Sequence, residues 1–311
     1  MFKILIIITI TIGVFLPGSS RAGTGDIYTL LESTVPSVRR TAVGEISATR
    51  DTGWIDTLGD LLSSDPHFSV RAGAAEALGI LRSSEATPYL VAALEDENRN
   101  VKASAIVSLG YIRDTDSVEP LMNFVREEEN LGLVVSALNV LGVLGSSEAL
   151  PLLEESLGSE EARVRQVAVQ SLGRLRSSDS ADAITALLDD PERNVRLQAI
   201  RALGEIGNPS AVRPLRREIR RLDDTELKLA AAYSLGQLGN DDGYDTALEA
   251  ARTGTGPERI SGLNALSVIG EKTPEAESAV RDAYASGDPA VRRAAEYAAS
   301  ILEIDIEGAR P

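Results

Sequence analysis

At 311 residues, 43% hydrophobic and 25% charged, the chain carries enough apolar content to fold and is not a solvated, disordered tail. Its formal net charge of −16 repels phosphate backbones and anionic lipid headgroups, which excludes nucleic acid as a main partner. With no cysteine there is no disulfide, no thiolate metal site and no lipid-modified cysteine.

The chain starts with a targeting pattern. Lys3 precedes a mostly aliphatic run from Ile4 to Leu16, and Pro17-Gly18 breaks it. Ser20 and Ala22 then place small residues on the upstream side of a cleavage site before Gly23. Residues 1–22 are expected to be a cleavable signal peptide and the protein to be periplasmic or secreted, with no membrane insertion after cleavage. The run is short for a membrane span, and an uncleaved anchor is the alternative. Removing 1–22 deletes Lys3 and Arg21 but no acid, which takes the formal charge to −18.

From there on one phrase repeats. Aligned on the Gly of "ALG", the copies fall at Gly44, Gly79, Gly110, Gly142, Gly173, Gly204 and Gly236, with Ser267 and Ser300 in the last two, at spacings of 31 to 35 residues. Nine copies leave no linker, so 23–303 reads as one array and 304–311 as a tail. Each copy reads as helix, turn, helix, turn. In Ser178 to Gly207 the first helix carries Ala183, Ile184, Leu187 and Leu188 at helical spacing. Asp190-Pro191 supplies a cap and a first turn, and the second helix carries Val195, Ala199, Ala202, Leu203 and Ile206. Gly207-Asn208-Pro209 ends it, and no strand is expected. The Gly of the phrase falls inside the second helix, where Gly costs about 1 kcal/mol relative to Ala. Close approach of the neighbouring repeat offsets that cost. A slot of small residues (Ala74, Ala105, Ala137, Ala168, Ala199, Ala231 and Ala295, with Gly262 in the eighth copy) agrees with tight stacking.

The phrase V-R-x-x-A-x-x-A-L-G-x-L, preceded by an apolar helix ending in Asp, resembles HEAT-type repeats. Its short period, about 31 residues, resembles the compact variety named after phycobilisome lyases. The resemblance implies an all-α fold, a right-handed α-α superhelix (an α-solenoid) of about nine HEAT-like helix pairs. It also implies that first helices lie on the convex side and second helices line the concavity. The first copy departs from the pattern around Pro36 to Arg40 and the last at Glu296 to Ser300, as terminal caps do.

Chemistry is sparse. Deoxyhypusine hydroxylases of this repeat class bind iron through paired His-Glu motifs, whereas this chain has one histidine, His67, followed by Phe68. That activity is excluded, and His67 reads as a solvent-facing turn residue. Nucleophile elbows and phosphate loops are absent. The turn Asn240-Asp241-Asp242-Gly243 lacks the liganding pattern of an EF-hand. Phycobilin lyases share the repeat, but nothing marks a tetrapyrrole site, and a lyase-type enzyme is a remote alternative. The expectation is a non-enzymatic protein with no catalytic residues, no cofactor and no metal.

Charge and variation mark the remaining features. The V-R phrase makes a basic ladder of Arg71, Lys102, Arg165, Arg196, Lys228, Arg259 and Arg292, broken by Val134, which reads as inter-repeat ion pairs or else as an anion site. Between Ala211 and Leu222, Arg213, Arg216, Arg217, Arg220 and Arg221 share one helix face, with Val212, Leu215, Ile219 and Leu222 opposite. These arginines either pair with acids such as Asp182, Asp189, Asp245 and Glu249 or hold an anionic partner on the outer surface. On the second helices, positions +6 and +10 from the Val of V-R face away from the core. At +6 stand Glu76, Val107, Asn139, Gln170, Arg201, Tyr233, Asn264 and Tyr297; at +10 stand Ile80, Tyr111, Val143, Arg174, Glu205, Gln237, Val268 and Ile301. This variation amid repetition is expected to form a ridge that binds a protein or peptide, through Val107, Tyr111, Asn139, Val143, Gln170, Arg174, Arg201, Glu205, Tyr233, Gln237 and Asn264. Val107, Tyr111 and Val143 are expected to cluster as an apolar patch; ordinary surface variation is the alternative.

Overall fold

The computed structural model describes residues 24–306, so the expected signal segment and residues 307–311 of the tail lie outside the described residues. Among the described residues there are α-helices and short 3-10 turns and no strand, in nine helix pairs. First helices are α1 (Thr24–Leu31), α3 (Ile55–Ser64), α5 (Thr87–Ala92), α7 (Val118–Glu127), α9 (Leu150–Ser156), α11 (Ala181–Ala186), α13 (Val212–Arg221), α15 (Tyr244–Thr253) and α17 (Pro274–Tyr284). Second helices are α2 (Pro36–Thr49), α4 (Phe68–Leu81), α6 (Arg99–Ile112), α8 (Leu131–Leu144), α10 (Ala162–Leu175), α12 (Arg193–Ile206), α14 (Thr225–Gln237), α16 (Gly256–Ile269) and α18 (Pro289–Leu302).

Successive second helices pack against each other extensively, whereas successive first helices touch over much less of their surface. The stack therefore closes on the second-helix side, which becomes the concave side of an α-solenoid. Large side chains such as Leu58, Leu78, Leu90, Ile106, Leu121, Leu138 and Leu153 are fully buried between the layers. One buried cluster runs from Ile27 to Leu235, and a second, rich in alanine, fills the last two repeats.

The glycine of the repeated phrase has the expected cause. A Cβ on Gly79 would stand 2.5 Å from Ser108 Oγ, and one on Gly142 2.5 Å from Ser171 Oγ, each on the next second helix. Those serines donate buried hydrogen bonds back to Ala75 O (2.8 Å) and Leu138 O (3.0 Å), sealing the joint. Gly44 is corrected: counted along helices of equal length, Ser47 of α2 stands where Gly79 does in α4, and Gly44 stands where exposed Glu76 does, with nothing within 4 Å of the place its Cβ would occupy. The alanine slot is fully buried, and at Gly262 a Cβ would meet the backbone of α15 at 2.6 Å.

The turn between the two helices corrects the sequence reading. α12 begins at Arg193, with Glu192 in the cap position and no side-chain cap, so Asp190 does not cap the helix. Asp190 instead accepts the Glu192 N–H at 2.8 Å and two bonds from Arg165, at 2.7 and 2.9 Å. Asp65 does the same with the His67 N–H (2.9 Å) and with Arg39 (2.7 Å to each oxygen), and Asp96 with Asn98 and Arg71. Each such Arg also donates to a carbonyl of its own turn, as Arg71 does to Asp65 O at 2.9 Å. One acid thus ties its own turn to the previous repeat. Burial opposes ionisation of Asp65, Asp96 and Asp190, but the Arg hydrogen bond, the turn N–H and nearby positive charge outweigh it and hold all three below the usual carboxylate range.

The ladder is shorter than expected and begins earlier. Its carboxylate rungs are Arg39–Asp65, Arg71–Asp96, Lys102–Glu128 and Arg165–Asp190. Arg196 and Arg292 reach only carbonyls of their own turns, and Arg259 bonds to Ala251 O. Beyond the sixth repeat's start the link passes to Arg193, which holds Asp224 and Glu226, each at 2.6 Å.

Candidate functional site

The ridge positions leave the core as the helical period requires. Glu76, Ile80, Val107, Tyr111, Arg174, Arg201, Glu205, Tyr233 and Gln237 are exposed, while Asn139, Val143, Gln170 and Asn264 are half-buried. They open into two hollows on the concave side.

The first hollow, of 790 Å³, lies across α4 and α6. Buried Gly79 and Ser108 line its base, exposed Ile80, Val107 and Tyr111 form apolar walls, and Arg50 and Arg82 border it. Glu76 is held there by Arg40 of the preceding repeat at 2.5 Å and by Ser104 of the next at 3.4 Å. Arg40 lies across Gly73, where a Cβ would come within 2.3 Å of its side chain. The expected apolar patch is therefore corrected: Ile80 joins Val107 and Tyr111, and half-buried Val143 lies outside both hollows.

The second hollow, of 510 Å³, gathers Arg201, Glu205, Tyr233, Gln237 and Asn264 with Glu226 and Tyr297. Its long side chains lie in the troughs left by the glycines of the previous repeat. A Cβ on Gly204 would stand 2.4 Å from Gln237 Oε1, and one on Gly173 2.9 Å from Glu205 Oε2. Arg201 makes no ion pair among the described residues and lines the hollow together with the carboxylates of Glu205 and Glu226. Asn139, Gln170 and Arg174 line neither hollow, and Arg174 donates to Asn139 Oδ1 at 2.7 Å across the repeat boundary. That stretch separates the two hollows.

Arg50 and Arg82 escaped the sequence reading. They follow the last residues of α2 and α4 in the left-handed conformation, at φ 56° and 53°, a place where α8, α12 and α16 are followed by glycine. The signal was present: an Arg where other copies of the phrase write Gly.

On the first-helix side, Arg213, Arg216, Arg217, Arg220 and Arg221 line one hollow of 750 Å³ on α13, opposite buried Leu215. The acids that meet them differ from most of those expected. Asp189 reaches Arg217 at 3.4 Å and Arg221 at 2.7 Å, and Asp242 reaches Arg216 at 3.4 Å. Glu218, 1% exposed and within the same helix, takes Arg217 at 3.2 Å and Arg221 at 2.6 Å. Asp182, Asp245 and Glu249 pair with none of these arginines. Arg213 and Arg220 have no acid partner among the described residues. The Glu218 hydrogen bond outweighs burial and holds the Arg221 guanidinium above its ordinary value.

Fold and ridge together define a class: an α-solenoid whose joints repeat and whose inner face varies. A sequence profile described as HEAT repeats matches residues 27–99, 87–173, 156–221 and 181–267, and the chain belongs to the HEAT-repeat family. Two solved structures show the likeness of fold, and a third is similar to a lesser degree. YibA of Escherichia coli is 18% identical over 81% of this chain and 93% of its own, with a TM-score of 0.55. Kap95p, solved with RanGDP, is 14% identical over 89% of this chain and 44% of its own, with a TM-score of 0.59. The CpcE–CpcF complex of phycocyanin lyase from a Nostoc species is 21% identical over 83% of this chain and 99% of its own, with a TM-score of 0.45. No curated protein sequence matches the chain. Among the described residues no helix is long and apolar enough to cross a membrane.

Proposed function

We propose that the protein is an exported, non-enzymatic scaffold that binds a protein or peptide along its concave second-helix face. The observation that carries this reading is the contrast on one set of helices. Their buried joints are uniform, whereas their exposed ridge varies and opens into two hollows furnished with tyrosines, arginines and amides. Aromatic and Arg side chains beside apolar surface are what protein contacts use. The Kap95p structure, a solenoid with RanGDP, supports a protein partner for this kind of fold.

The test is site-specific photo-crosslinking in the native cell envelope from Val107, Tyr111 and Tyr233, with Glu119 on α7 and Glu155 on α9 as controls. Discrete adducts are expected from the ridge positions. They should disappear when Tyr111, Arg174, Arg201 and Tyr233 are substituted together while circular dichroism is unchanged. Equal adducts from ridge and outer positions refute the reading.

The arginine face of α13 favours a second reading, a spacer that holds an anionic partner on its outer surface through Arg213 and Arg220. Loss of association on charge reversal of Arg216, Arg217 and Arg220, with ridge variants unaffected, selects it. Absorbance of a bound pigment in the purified protein selects a lyase-type enzyme instead.

A further inference from the structure

Three consecutive second helices, α2, α4 and α6, are followed by an arginine in the left-handed region: Arg50 (φ 56°), Arg82 (φ 53°) and Arg113 (φ 60°). That conformation crowds any residue with a Cβ and is free to glycine. Gly145, Gly207 and Gly270 occupy the same place after α8, α12 and α16, and Arg176 (φ 51°) and Glu303 (φ 53°) occupy it after α10 and α18. The three arginines are exposed, and among the described residues none of their guanidinium groups makes a hydrogen bond or ion pair. Closeness to the negative ends of the helix dipoles favours a cation there but does not require one, as the glycine-ended helices show. The first three repeats, in an unbroken row, and the fifth thus hold strained backbone under cations that no carboxylate among the described residues uses, in a chain of net charge −16.

Two of these cations border the first hollow, beside Ile80, Val107 and Tyr111. The ligand that suits the place offers carboxylates to the arginines and apolar groups to the walls. Spacing narrows it further. Stacked helices stand about 8–10 Å apart. A polyproline II segment advances about 9.3 Å per three-residue turn and presents every third side chain on the same face. An extended strand puts residues three apart on opposite faces and misses the row. Prolines between the acids suit a tyrosine-lined groove, since the ring of Tyr111 offers them a flat apolar surface and the segment loses little entropy on binding.

We infer that this groove takes an acidic, proline-rich segment in the polyproline II conformation, with a carboxylate at every third residue aligned on Arg50, Arg82 and Arg113. The inference rests on the concave-face reading and names the chemistry of its partner.

Fluorescence anisotropy with a fluorescein-labelled (Glu-Pro-Pro)5 peptide tests it, with (Gln-Pro-Pro)5 and (Glu-Pro-Pro-Pro)4 as controls. Saturable, salt-sensitive binding is expected for the first peptide, and binding about tenfold weaker or worse for the controls. Arg50→Gly and Arg82→Gly should each weaken it about fivefold. Both should raise the thermal midpoint, because glycine relieves the left-handed strain, so the loss is not one of folding. Equal binding of the Gln peptide, indifference to spacing, or unaltered binding by the glycine variants overturns the inference. If the acidic peptide fails while photo-crosslinks still map a partner to the ridge, this inference falls and the concave-face reading stands. If both fail, both fall.

Discussion

Replacing Gly142 by Ala should destabilise the array, whereas the same replacement at Gly44 should stabilise it. Both sites are helical, though Gly142 lies in the buried joint of α8 while Gly44 lies on the exposed face of α2, so each gains about 1 kcal/mol of helix propensity. At Gly44 nothing stands within 4 Å of the new methyl, and the gain is kept. At Gly142 the methyl would lie 2.5 Å from Ser171 Oγ, 2.6 Å from its Cβ and 2.9 Å from its Cα. The last of these is backbone, so α10 itself must move. Overpacking of this kind costs about 1–3 kcal/mol. The buried bond from Ser171 to Leu138 O breaks as well, for about another 1–3 kcal/mol. The net expectation is a loss of about 1–5 kcal/mol at Gly142 against a gain of about 1 kcal/mol at Gly44. Gly110 falls between them, because only the methyls of Val140 approach, at 3.1 and 3.4 Å, and these can turn aside. Urea unfolding followed by far-ultraviolet circular dichroism gives the three midpoints. An order other than Gly44→Ala above Gly110→Ala above Gly142→Ala refutes the account of why the glycine recurs.

Acid should loosen the joints tied by buried carboxylates. Asp65, Asp96 and Asp190 titrate below the usual range when folded and near 3.9, roughly, when unfolded, so their contribution is present above that value and is lost as pH falls through the depressed ones. Thermal midpoints should hold from about pH 7 to 5 and then drop, and Asp65→Asn should flatten part of that drop. Asp65→Ala leaves the buried Arg39 without its carboxylate and should cost about 3–5 kcal/mol, whereas removing the exposed Glu97, 3.5 Å from Arg71, should be silent in the same urea assay. On α13, Arg221→Ala uncovers the buried Glu218 and should lower the midpoint, while Arg220→Ala should leave it unchanged. N-terminal sequencing of the protein from an exporting host should begin at Gly23.

Several particulars were legible from residues alone. The recurrence of Gly at near-constant spacing, with an alanine slot beside it, announced close helix stacking, because only contact explains small residues inside a helix at regular intervals. The ridge was legible as positions, since the helical period places +6 and +10 away from the core. Its subdivision was not: whether Arg174 faces a partner or bonds to Asn139 depends on a neighbour 35 residues away, and the string carries no mark of that pairing. The same holds for Asp190. Local propensity suggests a helix cap, and the structure spends its carboxylate on Arg165 of the previous repeat. Arg39 was hidden because aligning the first copy on Gly44 sets it three residues out of register, although Val38-Arg39 is the V-R of the phrase and its partner Asp65 follows the rule. Glu218 was missed because an acid among five arginines reads as part of the solvated face until the helix is docked and buries it.

By itself the sequence determined the helix pairs, their number, the single array and the class of joint between repeats. These follow from periodicity, since residues three to four apart along a helix share its local environment. Only the tertiary structure decided which carboxylate meets which arginine, which ridge residues share a hollow, and which cations are left unpaired. Those are relations across one repeat period, set by the stagger and curvature of the stack. The left-handed arginines show the boundary between the two. Their letters stand plainly in a place that arginine and glycine share, but only the folded chain shows that no carboxylate among the described residues answers their charge.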